Sequence, residues 1–476
     1  MCNLLGGFLP RLIRRFSILE QHGGAESASA RVIDDCLMGG QNAFTATSAC
    51  HRPCDLDMWC LLLRIAAEFF GDSLVGSTSD FKAAYRQITA APEQARSFVV
   101  AMWDPVKGCI AYGIAVSQLF GSGSAPLNFS RFPAWCVYAL GMAFGLLADH
   151  CVDDILFVEQ MRTGMSAFTS WRRFAVCCGW DIPDKKSPPP SQRFRTLGAI
   201  TNLAGFPSGP ILLEPAADRV AKILEELQDI FRNQRLTPAL AGKLFGKMMF
   251  ASSQYFMKYG RCMLRAFSRR QHERRSGWNP QLNAACMFWI RNVQSGKPRE
   301  IPVNLGRLPV AVSYSDGEGS GGVGIALWAP CGRVVAGKMI VPDAVRALWS
   351  RTESAGDVYD IYELEAIGPA LVLHNFVFLL GDCAWFHFID NACALSTLIK
   401  GSSSVLSADA IASYTSEGIA HKNLWTWFDR VDSKSNPVDG LSRGDATGDW
   451  ELRDIVFPPD LLEKLTDYLK QTALAK

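Results

Sequence analysis

Two adjacent aspartates, Asp153 and Asp154, lie inside the apolar run LLADHCVDDILFVE. Neighbouring ionised carboxylates repel each other, and surrounding them with Leu, Ile, Val and Phe is costly unless a cation lies against them. Hard oxygen ligands of this kind suit Mg²⁺ or Mn²⁺. A third carboxylate, Asp80, opens the segment DFKAAYRQI. Together the three residues predict a two-metal site for phosphoryl transfer, in which the cations stabilise charge on the attacking and leaving oxygens.

The segments around these residues indicate how they are positioned. Apolar stretches flank Asp153 on both sides, which predicts two short strands with the aspartate pair at the tip of their hairpin. From residue 31 to about 203, apolar segments alternate with turn signals, whereas from 214 to about 293 apolar residues recur at helical spacing. Prolines and charges at 297–302 predict a linker, and from 308 a new alternation of strands and helices begins.

The composition limits the classes of protein to consider. The chain has 476 residues, too many for one ordinary domain, and its 49% apolar and 20% charged residues exclude a disordered protein. The net charge of +2 means that any nucleic-acid surface must be local. Fifteen scattered cysteines favour reduced thiols in an intracellular protein, in the cytoplasm or nucleus, over a zinc site or a disulfide framework. The longest apolar run, 134–148, is too short to span a membrane and predicts a buried helix, so no membrane partner is expected.

Several motifs occur in a fixed order along the first part of the chain. DFKAAYRQI is followed by QLFGSGSAPLNFSR, CVDDILFV and GWDIPDKKSPPP, and RTLGAI comes after these. This series resembles the palm of retroelement reverse transcriptases, and the upstream RVIDDCLMGGQN resembles the strand and turn of their fingers. The Phe120-Gly121 pair resembles the gypsy- and DIRS-type elements more than the retroviral enzymes, which place Gln-Gly there.

The resemblance implies a role for each motif. Asp80 and Asp153 would bridge two metal ions, with Asp154 beside them. Tyr85 stands where the family places an aromatic steric gate against a ribose 2′-hydroxyl, and Cys151 stands where it usually has tyrosine near the primer end. The other residues implied to bind the nucleotide are Arg31 and Lys186 at its phosphates, and Phe120, Gly121 and the Ser124-Ala125-Pro126 turn at the floor of its pocket.

A basic helical segment follows, LAGKLFGKMMFASSQYFMKYGRCMLRAFSRR. It resembles the helices that follow the palm in gypsy- and DIRS-type elements and track the template–primer duplex. Arginines at helical spacing can contact backbone phosphates without reading sequence. The alternative is a solvated basic face of a helix. The residues concerned are Arg261, Arg265, Arg269 and Arg270, with Arg274 and Arg275 extending the run.

The last part of the chain carries a second set of ordered carboxylates. SYSDGEGSGGVGIALW resembles the opening hairpin of ribonuclease H, YELEAIGPALVL its first helix, HFIDNACALSTLIKG its fourth strand and next helix, and NPVDGLSRG its closing motif. Four carboxylates on separate elements can converge on two metals that activate water against an RNA phosphodiester. The residues implied are Asp316, Glu363, Asp390 and Asp439, with Glu365 the alternative to Glu363 because both lie in one helical turn.

These motifs predict an α+β protein that comprises a right-hand polymerase palm with partial fingers, a helical thumb or connection, and an RNase H-like α/β domain. The expected divisions are 1–205, 206–300, 301–445 and a helical tail at 446–476. Since no protease, zinc-knuckle or integrase motif occurs, the chain is expected to be a fragment or one product of a larger retrotransposon polyprotein.

The expected function is an RNA-directed DNA polymerase with ribonuclease H activity, with two Mg²⁺ or Mn²⁺ ions in each site. Its partners would be an RNA template, a DNA primer, an RNA–DNA hybrid and dNTPs, while the sequence leaves the oligomeric state open. All seven carboxylates are present, whereas Cys151 and the 30 residues before Arg31 depart from the family. Two alternatives therefore stay open: a domesticated nucleic-acid-binding scaffold, and an active ribonuclease H joined to an inactive polymerase half.

Overall fold

The computed structural model divides the chain into two compact units, Met1–Ile211 and Leu212–Lys476. Both units mix helices with sheets, in agreement with the predicted α+β class. The division lies a few residues after the boundary expected at 205. The structure describes residues 12–21, 28–46, 53–255, 259–273, 277–303, 308–349, 351–352, 358–422, 424–445 and 448–473.

The first unit contains two antiparallel-rich sheets and the antiparallel pair β8–β9, with helices packed beside them. One sheet has the strand order β2-β1-β4-β5, and the other has the order β3-β7-β6. Strand β7 is central in the second sheet, and its residues 155–159 are all buried, which explains the unbroken apolar run after the aspartate pair. The elements of this unit are β1 (Ile13–Gln21), β2 (Ala28–Asp35), α1 (Leu56–Phe70), β3 (Leu74–Asp80), β4 (Val99–Asp104), β5 (Cys109–Ile114), α2 (Ala125–Phe144), β6 (Leu147–Cys151), β7 (Asp154–Gln160), α3 (Gly164–Cys177), β8 (Arg193–Thr196) and β9 (Ala199–Asn202).

Helix α2 differs from the buried helix expected over 134–148. It ends at Phe144, where Gly145 adopts a left-handed conformation, and strand β6 begins at Leu147. One face of the helix is buried, but Trp135 and Tyr138 on the other face are 52% and 66% exposed. Apolar residues lie all around this helix, so its composition alone could not show which face packs against the core.

The second unit begins with a bundle of helices, α4 to α7, that bury a shared apolar core. The helix predicted to start after Thr237 does so, because the Thr237 side chain accepts a hydrogen bond from the backbone of Leu240 and Pro238 is the first helical residue. The elements of this bundle and its flanking strands are β10 (Ile211–Pro215), α4 (Ala217–Asn233), α5 (Pro238–Ser253), α6 (Leu264–Arg270), α7 (Pro280–Ser295) and β11 (Arg299–Ile301).

A six-stranded sheet forms the rest of this unit, with the order β18-β17-β12-β13-β14-β19. Strands β12, β13 and β14 are antiparallel neighbours, whereas β17 is parallel to both β12 and β18. The elements are β12 (Val310–Gly317), β13 (Gly322–Trp328), β14 (Val334–Ile340), α8 (Asp343–Trp349), β15 (Arg351–Thr352), β16 (Val358–Tyr359), α9 (Ile361–Ala366), α10 (Gly368–Leu380), β17 (Ala384–Ile389), α11 (Ala392–Lys400), α12 (Leu406–His421), β18 (Trp425–Arg430), α13 (Asp439–Ser442), β19 (Glu451–Leu452) and α14 (Pro459–Ala473).

Helices α9 and α10 together form a 20-residue segment, Ile361–Leu380, that is long and apolar enough to cross a membrane. In the structure 72% of the most apolar window in this segment is buried. Its side chains contribute to the main apolar core beside the six-stranded sheet. Burial of this extent is typical of the core helix of a globular domain.

The tail predicted for 446–476 is helical over α14, and it belongs to the sheet domain. Strand β19 pairs in parallel with β14, and Ile455, Phe457, Leu461 and Leu465 lie in the same apolar core as α10. The Lys464 ammonium lies 2.5 Å from the Glu417 carboxylate on α12. Residues after 445 therefore complete the sheet and its core.

Candidate metal centres

The first carboxylate set lies on the three-stranded sheet of the first unit. Asp80 is the last residue of β3, and the register places it directly opposite Asp154, the first residue of β7. Asp153 lies in the tight turn between β6 and β7, and its carbonyl accepts a hydrogen bond of 3.1 Å from the amide of Phe81. Neighbouring strands are about 4.8 Å apart. The fold thus brings the three predicted carboxylates to one end of the sheet.

Burial and repulsion between the carboxylates determine the electrostatics of this first centre. Burial, Asp153 and Asp80 raise the pKa of Asp154 to about 7. Lys186 offsets part of this effect, since its ammonium lies 2.5 Å from one oxygen of Asp80. The other oxygen, Asp80 Oδ1, is buried and has no hydrogen-bond partner within the described residues. An orphaned carboxylate oxygen beside two further carboxylates fits a divalent cation.

The residues predicted to form the nucleotide pocket lie beside this centre. The ring of Tyr85 is 5.4 Å from that of Phe120 and 5.5 Å from that of Phe129, measured between centroids. Burial raises the pKa of Tyr85, and the charge of Asp153 adds to the effect. Phe120 is 38% exposed, so an aromatic surface borders the carboxylates where a nucleotide sugar is expected.

Gly121 is held against strand β2 by a close backbone approach. A Cβ atom at this position would lie 1.8 Å from the carbonyl oxygen of Asp34 on β2, so no larger residue fits. Asn42 donates to the Gly121 carbonyl at 3.1 Å and accepts from the Gly123 amide at 2.8 Å. This turn leads into α2 at Ala125.

Asp34 is a buried residue that the sequence argument missed. It is 1% exposed, and its two carboxylate oxygens lie 2.6 Å from Arg15 Nε and 3.1 Å from Arg86. Arg86 is in the same short turn as Tyr85, so the ion pairs join β1 and β2 to the predicted gate. Asp34-Asp35 is an adjacent carboxylate pair, and the reasoning applied to Asp153-Asp154 would have marked it.

Arg31 was predicted to contact the triphosphate. Its backbone lies in β2 opposite Ile18, and its side chain lies outside the described part of the structure. Lys186, predicted at the same phosphates, pairs instead with Asp80.

The second carboxylate set lies at the ends of two central strands of the six-stranded sheet, β12 and β17. In the parallel register of β12 and β17, Tyr314 is opposite Phe388, so Asp316 and Asp390 follow at the same level two residues later. Glu365 on α9 joins them, and one ligand oxygen from each residue lies within 4.8 Å of the other two. Among the described residues, no other group of three or more His, Cys, Asp or Glu side chains comes this close together. The geometry is that of a cation site with carboxylate ligands.

The structure places Glu365, and not Glu363, beside these aspartates. Residues two apart on a helix point about 200° apart, so one helical turn cannot direct both carboxylates at one centre. Glu363 is fully buried, and its Oε1 accepts a hydrogen bond of 2.5 Å from Ser407 on α12. Glu365 approaches β12 because Gly317 leaves room, where a Cβ would lie 2.8 Å from the carbonyl carbon of Leu364. The sequence held Glu365 only as the alternative.

The charges of this centre also call for a cation. Burial, Asp390 and Asp316 raise the pKa of Glu365 to about 9, and its Oε2 is buried without a hydrogen-bond partner. Burial raises the pKa of Asp316 to about 6, with contributions from Asp390 and Asp439. Three carboxylates that cannot all ionise together at neutral pH fit a divalent metal well.

Asp439 lies at the border of the second centre. It is near enough to raise the pKa of Asp316, but it pairs with Arg443 at 2.8 Å and is not one of the three residues in the compact group. Its helix α13 and the turn before it are each bonded to β12: Ser442 Oγ donates to Asp316, and Asn436 Nδ2 donates to the Ser315 carbonyl at 2.9 Å. The contact between Ser442 and Asp316 was not predicted.

A buried histidine supports the strands that carry Asp316 and Asp390. His387 on β17 is fully buried, with Nδ1 2.7 Å from Ser313 Oγ and Nε2 3.1 Å from Ser315 Oγ. Trp385 Nε1 also donates to Ser313 Oγ at 2.7 Å. Burial lowers the pKa of His387 to about 3, so the imidazole is neutral at pH 7.

This histidine predicts a loss of stability in acid. Between pH 6.5 and about 3 the His387 imidazole binds a proton in the unfolded chain but not in the folded protein. The free energy of unfolding therefore falls as pH falls through this window. We expect this residue to contribute a slope of about 1.4 kcal/mol per pH unit. Denaturant unfolding from pH 7 to 4.5 should show that His387→Gln has a shallower slope than wild type, although it is less stable at pH 7. The exposed His374→Gln is the control, and equal slopes for all three proteins would contradict the prediction.

The predicted arginine stripe does not form one exposed basic face. Arg270 is 3% exposed and donates to the Gly277 carbonyl, and Arg269 donates to Gln281 at 3.2 Å. Arg265 donates to the carbonyls of Ser403 and Ser404. The stripe fails because α6 is only seven residues long and packs on two sides, so its arginines satisfy backbone and side-chain acceptors of this unit. Arg261 lies in the preceding turn, half-buried, and Arg274 and Arg275 lie outside the described residues.

No protein-family model matches the sequence, and a search of curated proteins finds no match. Solved structures similar to the chain include foamy viral protease-reverse transcriptases. One with double-stranded DNA, described as dRH, aligns at a TM-score of 0.46 with 12% identity over 87% of this chain and 66% of its own. A second with double-stranded DNA has a TM-score of 0.45 and 13% identity over 87% and 79% of the two chains.

A third foamy viral protease-reverse transcriptase, in complex with an RNA/DNA hybrid, has a TM-score of 0.45 and 12% identity over 94% of this chain and 53% of its own. This chain therefore spans about two thirds of the first of these structures and about half of the third. At these scores and identities the likeness has no weight for function. The chain itself brings together two clusters of carboxylates, and the charges of each cluster fit a divalent cation.

Proposed function

We propose that this chain is the reverse transcriptase–ribonuclease H part of a retroelement polyprotein. The observation that carries the proposal is that ligand oxygens of Asp316 and Asp390, at the ends of two parallel strands, and of Glu365, on α9, lie within 4.8 Å of one another. The motif order around them is the one that the ribonuclease H resemblance implies. Such a centre suits hydrolysis of the RNA strand of an RNA–DNA hybrid, and the 2′-hydroxyl is the group that distinguishes this strand from DNA.

In the second centre Asp316, Glu365 and Asp390 would hold the divalent ions, with Asp439 near enough to act on the same charges. When bound, the metals supply a Lewis acid for the phosphodiester and lower the pKa of attacking water. The residues around them fix the ligands: Ser442 and Asn436 hold β12, and Gly317 permits the approach of α9. The protein's part is to keep the ligand oxygens in place before the hybrid binds.

The first centre is proposed as the polymerase site. Asp80, Asp153 and Asp154 would hold metals for attack of a primer 3′-hydroxyl on the α-phosphate of a dNTP templated by RNA. The opposition of Asp80 and Asp154 across β3 and β7 supports this role, as does the buried oxygen of Asp80. Lys186 would leave its ion pair with Asp80 and bind the phosphates of the incoming nucleotide. The protein would act inside the cell, in the cytoplasm or nucleus.

A second candidate is a hybrid nuclease whose polymerase half is inactive. The specific observation is that, in the described residues, only the second centre forms a compact group of three ligand oxygens. One purified sample tests both candidates: primer extension on an RNA template, and cleavage of a labelled RNA–DNA hybrid, each with and without Mg²⁺ or Mn²⁺. Hybrid cleavage should be detected first. Absence of both activities with either metal would reject the enzyme and favour a binding scaffold.

Selection of the sugar tests the role of Tyr85. If the polymerase is active, Tyr85→Ala should admit ribonucleotides, because truncation removes the ring that would collide with a 2′-hydroxyl. We expect the preference for dNTPs to fall by about 10- to 100-fold, the range for a steric contact in an apolar pocket. Tyr85→Phe keeps the ring and serves as the control. Single-nucleotide incorporation kinetics give the measurement, and an unchanged preference in Tyr85→Ala would remove Tyr85 from this role.

A further inference from the structure

Arg265 connects the helical bundle to a loop of the sheet domain, both within the second unit. From α6 its guanidinium donates to the carbonyls of Ser403 and Ser404, in the 401–405 loop between α11 and α12. It also lies 3.8 Å from the carboxylate of Asp409, which is fully buried at the start of α12. Asp409 in turn accepts a hydrogen bond of 2.8 Å from the Ser403 amide. The fork of one arginine thus fixes both the loop and the first turn of α12.

The same loop holds helix α9 from the other side. The hydroxyl of Tyr362 on α9 is hydrogen-bonded to Ser403 Oγ at 2.9 Å and to Thr397 at the end of α11. Glu363, the next residue of α9, accepts from Ser407 in the first turn of α12. Both α9 side chains therefore depend on the segment that Arg265 orders.

Helix α9 is six residues long and continues at Ile367 into α10, so its N-terminal half is the part whose position depends on side-chain contacts. It also carries Glu365, whose oxygen completes the compact group with Asp316 and Asp390. A small movement of α9 would separate this oxygen from the two aspartates, which are anchored separately on β12 and β17. The position of Glu365 is therefore set by contacts outside the metal centre.

We infer that Arg265 is a positioning residue for the second metal centre, which it acts on through the 401–405 loop and α9. The helical bundle thereby sets the geometry of the carboxylates in the sheet domain. The effect on catalysis rests on the proposed function, whereas the effect on α9 does not. This role replaces the phosphate contact expected for Arg265 from the sequence.

Hydrogen exchange on the full chain without metal tests the structural part. Removing the charge that is hydrogen-bonded to the 401–405 loop should make the amides of 361–366 exchange about 10-fold faster or more in Arg265→Ala. Arg269→Ala is the matched control, because Arg269 is on the same helix but bonds to Gln281 on α7. Tyr362→Phe, which removes only the hydroxyl link, should reproduce a smaller part of the effect. Tyr362→Phe still tests the inference if Arg265→Ala does not fold. If both variants fold, their effects on the exchange of α9 should be less than additive in the double variant.

Metal affinity and kinetics test the functional part. With Asp153→Asn and Asp154→Asn in the background, Mn²⁺ titration calorimetry reports the second centre, where Arg265→Ala should weaken binding by about 10-fold. Hybrid cleavage should show a lower kcat with an unchanged KM for the hybrid. A raised KM with a changed salt dependence would instead support the predicted contact of Arg265 with backbone phosphates, and it would overturn the inference.

The remaining outcomes separate the inference from the proposed function. Unchanged exchange of α9 in Arg265→Ala and Tyr362→Phe, or equally fast exchange in Arg269→Ala, would overturn the inference whatever the activity of the protein. Faster exchange of α9 confined to Arg265→Ala and Tyr362→Phe would support it, even if the wild type cleaves no hybrid. In that case the proposed function alone would fail.

Discussion

Asp390→Asn is expected to reduce metal-dependent cleavage of an RNA–DNA hybrid by more than about 100-fold, because loss of an outer-shell partner alone costs 10- to 100-fold. Asparagine keeps the shape of the side chain but loses the charge that would hold the proposed cation. Asp390 lies at the end of β17 with its neighbours on β12 and α9, so folding should survive. Any primer extension should remain, because the first carboxylate set lies on a different sheet.

Asp153→Asn should do the reverse, and the two variants together show whether the centres are separate. The control is Asp382→Asn, an exposed carboxylate in the turn before β17 that receives the same chemical change. Both activities should be measured on each protein at saturating Mg²⁺ and Mn²⁺. Strong primer extension by the wild type without metal-dependent hybrid cleavage would reverse the expected ranking of the two halves.

The second large effect distinguishes the two glutamates of α9. We expect Glu365→Gln to lose metal binding at the second centre and cleavage by more than about 100-fold. Glu363→Gln should keep both within about threefold, since its amide oxygen can still accept from Ser407, while stability falls by about 1–3 kcal/mol. Calorimetry, cleavage assays and denaturant unfolding give the three measurements. Loss of cleavage in Glu363→Gln alone would return the ligand role to the residue that the motif favoured.

Glu365→Gln should also leave a signature in the metal-free protein. A carboxylate whose pKa is raised from 4.5 to about 9 stabilises the fold below pH 4.5 and loses that contribution as pH rises to about 9. Glutamine does not titrate, so the variant should gain stability relative to wild type as pH rises through this window. Added Mn²⁺ should narrow the difference in stability, because binding at the second centre stabilises the wild type and not the variant.

The elements of the two sheets could be predicted from the sequence because their patterns are local. The alternation in VAVSYSD and WFHFID, with turn residues after each, gave β12 and β17 almost to the residue. The apolar flanks of Asp153 gave the hairpin β6–β7 for the same reason. Asp316 and Asp390 themselves were predicted from the resemblance of their motifs to ribonuclease H, and the parallel register of β12 and β17 brings them to the same level.

The predictions that failed concerned residues whose positions depend on contacts between distant segments of the chain. Spacing shows that Arg265 and Arg269 share a helix, but not that a loop 138 residues away covers the Arg265 guanidinium. Likewise Glu363 and Glu365 differ by 200° around α9, and only the packing of α9 on β12 and α12 decides which one faces the aspartates. The ion pairs of Asp34 with Arg15 and Arg86 join segments that no local pattern connects.

The two-residue strand β19 has a consequence for the solubility of the sheet domain. It covers part of the outer edge of β14, whose backbone amides and carbonyls would otherwise be available to the strand of another molecule. The segment after β19 also shields the core with Ile455, Phe457 and Leu461. A shortened protein that stops at 445 would bare both a strand edge and an apolar surface, and a tendency to aggregate would follow. In such a sample, lost activity would report self-association and not the chemistry of the carboxylates.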